Sequence, residues 1–349
     1  MSLTRSPLRG AGIFLVCVVW TATAIAREAD GRLGLIHAPH NGAPVVITPG
    51  GAFEAVLEEE ARLKLVDSER TVALAVEWST AHDGRWLAEC HTPSDIPPGA
   101  YALEADAGGD AIQNVRAVYV REDLPGAYVA AHIADPLIAN EDGAAAERLA
   151  RAVDAVNASP ADLLLVSGKL TEDDSSEQFK TLFELLDAAE TPTVVCPATG
   201  GTKAGYFHDD VFVFRFGRDA YLVYDEAPLL DAHHPDRLGA RLYRYRREIK
   251  PARWSIGVTG HYFQPQSMRA QIALFIDDPL DMLLAAKRAD PEENLEYAFP
   301  WGGVSALLTP PLETEALRFI EISQAELSPG PVEEIPSAGD EDVQEPDAG

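Results

Sequence analysis

Four side chains combine types able to hold a divalent cation or to move a proton: Asp135, His208, Asp209 and His261. Asp135 follows the apolar run "YVAAHIA", and His261 closes "WSIGVTGH". His208-Asp209-Asp210 stands in front of "VFVFRFG". If these groups converge, carboxylate and imidazole donors suit one Mn, Fe or Zn ion and metal-assisted hydrolysis. The plainer reading of His208-Asp209-Asp210 is a polar turn ahead of a strand. His132 lies inside an apolar strand and reads as a core histidine. His233-His234 reads as the loop before a helix, and Asp277, Asp278 and Asp281 as a turn. His37 and His40 suggest nothing specific. The chain has no GxGxxG, Walker A, HExxH or GxSxG motif, so dinucleotide, P-loop, zincin and α/β-hydrolase chemistries find no sequence support.

Two kinds of pattern must position these residues. Over 33–123, short runs such as "FEAVLEE", "TVALAVEW" and "AYALEAD" alternate imperfectly and are punctuated by Gly, Pro, Asp and Asn. That spacing predicts an all-β, Ig-like or fibronectin-like sandwich. After the turn-rich "DLPGA" at 123–127 the period changes. "YVAAHIA", "DLLLVSG" and "TPTVVCPA" read as buried strands. Between them, "EDGAAAERLARAVDAVNAS" and "SSEQFKTLFELLDAAE" carry apolar residues at helical spacing. Strand–helix alternation implies βαβ units and a central sheet. From Val211 strands dominate, with helices expected near 233–249 and 266–276. The segment 241–253, "RLYRYRREIKPAR", is a basic stretch that reads as a solvated helix face or as a contact surface for an acidic partner. Residues 329–349 are acidic and rich in Pro and Gly, and are expected to form a solvated, disordered tail.

Composition narrows the partners. The 349 residues are 46% hydrophobic and carry a formal net charge of −28. Such an acidic surface excludes nucleic acid as a general partner and adhesion to anionic membranes. Residues 1–26 have a basic start, an apolar stretch from Ala11 to Val19 and the A-x-A pattern Ala24-Ile25-Ala26. This predicts a cleaved signal peptide, no stable membrane span after cleavage, and a secreted or periplasmic protein; an uncleaved N-terminal anchor is the rival reading. Cys17 falls in this segment. Cys90 and Cys196 are expected to be buried free thiols.

The order of segments from Tyr128 to Ile322 resembles the calcineurin-like metallophosphoesterases. "AAHIADPLI" stands where that family opens with D-x-H, and "LLLVSGKLTED" where it has G-D-x-x-D/N. "TVVCPATGG", "WSIGVTGHYF" and "DPLDMLLAAKRA" fill the later slots. The resemblance implies an α/β/β/α sandwich behind the β-sandwich, as 127–322 behind 33–123. It also implies a dinuclear metal site, and there the residues depart. Asp135 and His261 match. Leu137 replaces a histidine and Lys169 replaces the carboxylate both metals would share. Glu172 ends that motif, Thr199 and Gly200 replace the Asn-His pair, and Lys287 and Ala289 replace the closing histidines. A cation at the focus of the site would repel a divalent ion by several kcal/mol at an effective dielectric of about 20.

The resemblance therefore implies an exported pseudo-phosphoesterase, a binding or structural module with no cofactor. Its partner would be an unknown protein or a small anionic ligand, the latter held by Lys169 and Lys287. Lys169 is expected to pair with Asp135. The alternative is a phosphoester hydrolase with one divalent ion held by Asp135, His261 and His208 or Asp209. A third reading makes the β-sandwich the working part, docking a partner by strand addition.

Overall fold

Alternating burial builds the first strands. In Ala52–Leu57 and Arg62–Val66 every second residue is buried, as period-two side chains require. The structure, a computed structural model, describes residues 32–336 except 82, 110, 140–142, 197–204, 208, 226–234, 263–266 and 288–303. Thus 1–31, His208, His233, His234, Thr199, Gly200, Ala289 and 337–349 lie outside the described residues.

Among the described residues, 36–120 form strands β1 (Ile36–Ala38), β2 (Val45–Ile47), β3 (Ala52–Leu57), β4 (Arg62–Val66), β5 (Thr71–Ala73), β6 (Ala75–Thr80), β7 (Trp86–His91), β8 (Gly99–Asp106) and β9 (Ile112–Val120). They make two sheets, β1-β3-β7-β6 and β2-β9-β8-β4-β5. One core joins both, with Phe53, Leu57, Leu65, Cys90, Leu103 and Val118 in it.

The other described residues supply two five-stranded sheets. The first is β12-β11-β10-β18-β19, from β10 (Tyr128–Ala134), β11 (Leu163–Ser167), β12 (Thr193–Val195), β18 (Ala316–Ile322) and β19 (Leu327–Glu334). The second is β13-β14-β15-β16-β17, from β13 (Val211–Phe216), β14 (Asp219–Tyr224), β15 (Ser255–His261), β16 (Met282–Ala286) and β17 (Ser305–Thr309). Helices α1 (Ala144–Ala158) and α2 (Ser176–Leu186) cover the first sheet, with Leu149, Val153, Phe179 and Leu182 against Ala131, Ile133, Leu164 and Val166. Ser175 caps α2 by accepting the Gln178 amide. Helix α3 (Pro235–Ile249), the short α4 (Met268–Gln271) and the π turn Ile272–Ile276 cover the second sheet. The opposite faces of the two sheets share a third core, where Ala130 and Leu165 meet Phe214, Tyr221, Val258 and Leu284. The layers are therefore helix, sheet, sheet, helix. Tyr128 and Tyr221 hydroxyls, 2.7 Å apart, tie the sheets across that core.

The N-terminal strands are fastened to the first sheet. Gly42 bridges to Val194: its amide donates to the Thr193 carbonyl, and the Val195 amide donates to the Gly42 carbonyl. Asn41 donates to Asp187 at 2.6 Å, Tyr119 to the Thr191 carbonyl at 3.0 Å, and Arg121 to Asp162 at 3.0 Å.

Two expectations are corrected. Residues 329–334 are not a solvated tail but part of β19, which pairs antiparallel with β18. The open edge of β18 satisfies the backbone whatever the side chains are, and buried Ile335 anchors the end. The basic stretch 241–253 is a solvated face only in part: Arg244, Arg247 and Lys250 are exposed, while the other basic residues are engaged within the fold. Arg241 pairs with Asp209 and Asp210, and Lys250 with Asp278. Buried Arg246 donates to Ser255 and the Pro279 carbonyl. Arg253 grips Asp219, whose carboxylate is fully buried, with Nε to Oδ1 at 2.8 Å and Nη2 to Oδ2 at 2.5 Å.

Candidate functional site

The two central sheets bring the C-terminal ends of β10, β11, β15 and β16 to one rim. At this rim the chain is contorted. Asp135 and Leu137 have φ of 47° and 51°, and Gly168 has 87°. Left-handed backbone at a leucine is uncommon and costs on the order of 1–3 kcal/mol. The surroundings hold it in place: Asp135 donates its amide to the Ser167 carbonyl, Leu137 to Lys169 and Ile138 to Leu170, and Glu172 returns a bond to Ile138.

The side chain of Asp135 is nearly buried and points into the rim. Its Oδ1 accepts the Lys169 amide at 2.5 Å and stands 3.2 Å from Nε2 of His261. Asp135 and His261, predicted to share a site, are thus in contact across the two sheets. Gly168 makes this approach possible. A Cβ there would sit 2.1 Å from Asp135 Oδ1 and 2.8 Å from the Ala286 Cβ. The Lys287 amide donates to the Thr309 carbonyl at 2.8 Å.

The expected ion pair between Lys169 and Asp135 does not form. The Lys169 backbone, not its ammonium, occupies the carboxylate, and the turn at Gly168 carries the side chain to the exterior, where it is exposed. Leu137 is half-buried and Glu172 is exposed. Asp209 is engaged by Arg241 on the same rim, two strands away from β15. Burial and a hydrogen bond shared with Asp210 push the Asp209 carboxyl up, against the pull of Arg241. Among the described residues, no group of three or more His, Cys, Asp or Glu side chains is placed to hold a metal ion.

The donor set fits the resembled dinuclear centre poorly. Leu137 has no donor atom, Lys169 is a cation, and Asp135 Oδ1 already accepts from an amide beside an imidazole. No catalytic step through metal is derived from it.

His132 is a core residue, fully buried. Its Nδ1 lies 2.7 Å from Thr309 Oγ1 on the second sheet and its Nε2 2.8 Å from Ser167 Oγ on the first. Burial, aided by nearby Arg318, pulls its pKa down to about 3, so it stays neutral. Cys90 and Cys196 are buried cysteines that do not pair with one another, and burial pushes Cys90 up to about 12. Sequence reasoning missed Gly168 and the Ser167–His132–Thr309 bolt beneath the rim. The glycine after an apolar strand was the available signal for the first. Nothing local signals the second, because Thr309 lies 177 residues from His132.

No protein-family model matches this chain, and no curated protein matches it. Among solved structures it is similar to a purple acid phosphatase from yellow lupin (Lupinus luteus) seeds. The identity is 10%, the match covers 82% of this chain and 69% of that one, and the TM-score is 0.42. It is also similar to GAP50, the anchor in the inner membrane complex of Plasmodium. There the identity is 10%, the coverage 60% of this chain and 89% of that one, and the TM-score 0.40. No described helix is long and apolar enough to cross a membrane.

Proposed function

We propose that this protein is a non-catalytic member of the calcineurin-like phosphoesterase group, exported by residues 1–26 and acting as a binding or structural module. In this reading residues 33–123 are an Ig-like or fibronectin-like accessory module, and 127–322 are the phosphoesterase-type domain. The four-layer arrangement with its contorted rim supports the frame. One observation carries the loss of chemistry: the carboxylate that survives, Asp135, is spent on the Lys169 amide and on His261. The strand end beside it offers an exposed ammonium instead of a metal-bridging carboxylate. Two positive-φ residues and a clash-limited glycine keep the geometry of a site whose ligand types are gone.

The test is hydrolysis of p-nitrophenyl phosphate and bis-p-nitrophenyl phosphate by the purified protein with Mn, Fe or Zn supplied. The proposal expects no turnover above buffer. Metal-dependent turnover that disappears in both Asp135→Asn and His261→Ala would replace it with a mononuclear hydrolase.

A further inference from the structure

A cleft of about 390 Å³ lies between the N-terminal strands and the second large sheet, away from the strand-end rim. Three consecutive residues of β2 (45–47) and four consecutive residues of β13 (212–215) border it, so strand edges as well as side-chain faces meet the space. Among the described residues β13 is the terminal strand of its sheet. Its register fixes which backbone groups look outward. Val211 lies opposite Tyr224, and the Asp225 amide donates to the Asp210 carbonyl. In an antiparallel ladder this makes the even-numbered residues exchange bonds with β14 and turns the odd-numbered ones away. Val213 and Arg215 therefore direct N–H and C=O to the open side, and neither backbone has a hydrogen-bond partner there among the described residues. Phe53 of β3 and Phe212 and Phe214 of β13 supply an apolar wall.

The charge around the cleft selects among occupants. Glu54 and Glu248 border it. Partial burial pushes the Glu54 carboxyl up, and the nearby carboxylates of Glu248 and Glu89 add to this. Among the described residues Arg215 is the one cation lining the cleft, and it already bonds the Glu248 carbonyl and stands 3.8 Å from its carboxylate. A net charge of −28 opposes a second copy of this chain. An open strand edge beside a hydrophobic wall is the geometry of strand addition.

We infer that this cleft takes an extended, basic peptide segment of a partner protein, which adds a strand to β13. The segment would carry β-branched or aromatic residues at alternate positions and a Lys or Arg reaching Glu54. The inference does not depend on how the strand-end rim is read.

The full-length protein is panned against a random octapeptide display library. Enriched peptides are synthesised with a fluorophore and titrated by anisotropy into wild type, Val213→Pro and Glu54→Gln. Proline at 213 removes an outward N–H and leaves the β13–β14 bonds in place. The expected result is a selected set with alternating apolar residues and a Lys or Arg. Its affinity should fall about tenfold in Val213→Pro and by a few-fold, with a shallower salt dependence, in Glu54→Gln. If Val213→Pro does not fold, hydrogen exchange on the wild-type complex serves instead, and slowed exchange at Val213 and Arg215 supports the inference. It is overturned if no sequence is enriched, if both variants bind as wild type does, or if protection falls elsewhere. Wild-type self-association lost in Val213→Pro would give the edge to a second copy and also overturn it.

Discussion

Replacing Gly168 by alanine attacks the rim at its tightest point. The backbone there has φ of 87°, so any side chain pays for a left-handed conformation, about 1–2 kcal/mol. The new methyl would sit 2.1 Å from Asp135 Oδ1 and 2.8 Å from the Ala286 Cβ. Neither neighbour is the far end of a flexible chain: Asp135 is fixed by its own positive φ and by the Lys169 amide. Overpacking of this kind costs roughly 1–3 kcal/mol. Displacing the carboxylate also breaks a hydrogen bond to a charged group, worth roughly 1.5–3 kcal/mol. Allowing for relaxation, Gly168→Ala should destabilise the protein by roughly 3–5 kcal/mol. Urea unfolding followed by far-ultraviolet circular dichroism measures this directly, with the slope checked for constancy. A loss below about 1 kcal/mol would refute the reasoning, because the strain and the clash would then not both exist.

Arg253→Met should cost about 3–5 kcal/mol in the same assay, since it strands the buried Asp219 carboxylate; a loss like that of an exposed pair would contradict the burial. His132 binds a proton more weakly folded than unfolded, so its contribution is complete above about pH 6.5 and falls as pH drops toward 3. Stability should decline by about 1.4 kcal/mol per pH unit from this group alone, and His132→Gln should flatten the slope between pH 6 and 4 by about that amount; an unchanged slope would mean that His132 is not buried neutral. Cys90, held near 12, should resist Ellman's reagent until the protein unfolds; rapid reaction in native buffer would show that the core is open there.

The helix–strand order after residue 127 was legible because apolar period switches from two to 3.6 and back, and because α1 and α2 carry unbroken core stripes. The contact of Asp135 with His261 was expected through resemblance, and the structure brings them together although they lie 126 positions apart in the chain. β19 was not legible. "LSPGPVEE" has the composition of a solvated tail, yet an edge strand needs only backbone bonds on one side and tolerates proline. Lys169 misled for a related reason. Charge complementarity suggested an ammonium for Asp135, but a carboxylate beside a left-handed glycine is met first by the following amide. The roles of Arg241, Arg246 and Arg253 depend on partners 9 to 34 residues away, so a local basic run could not show that they are spent.

We propose that the strand-end rim has lost its metal chemistry while keeping its frame. It is tested most directly by counting metal on the purified protein. The protein is incubated with excess Mn and Zn, desalted and measured by inductively coupled plasma mass spectrometry, with Asp135→Asn and His261→Ala in parallel. Wild type should retain no metal, and the three proteins should not differ. Two equivalents per chain, or one that disappears in both variants, would contradict it.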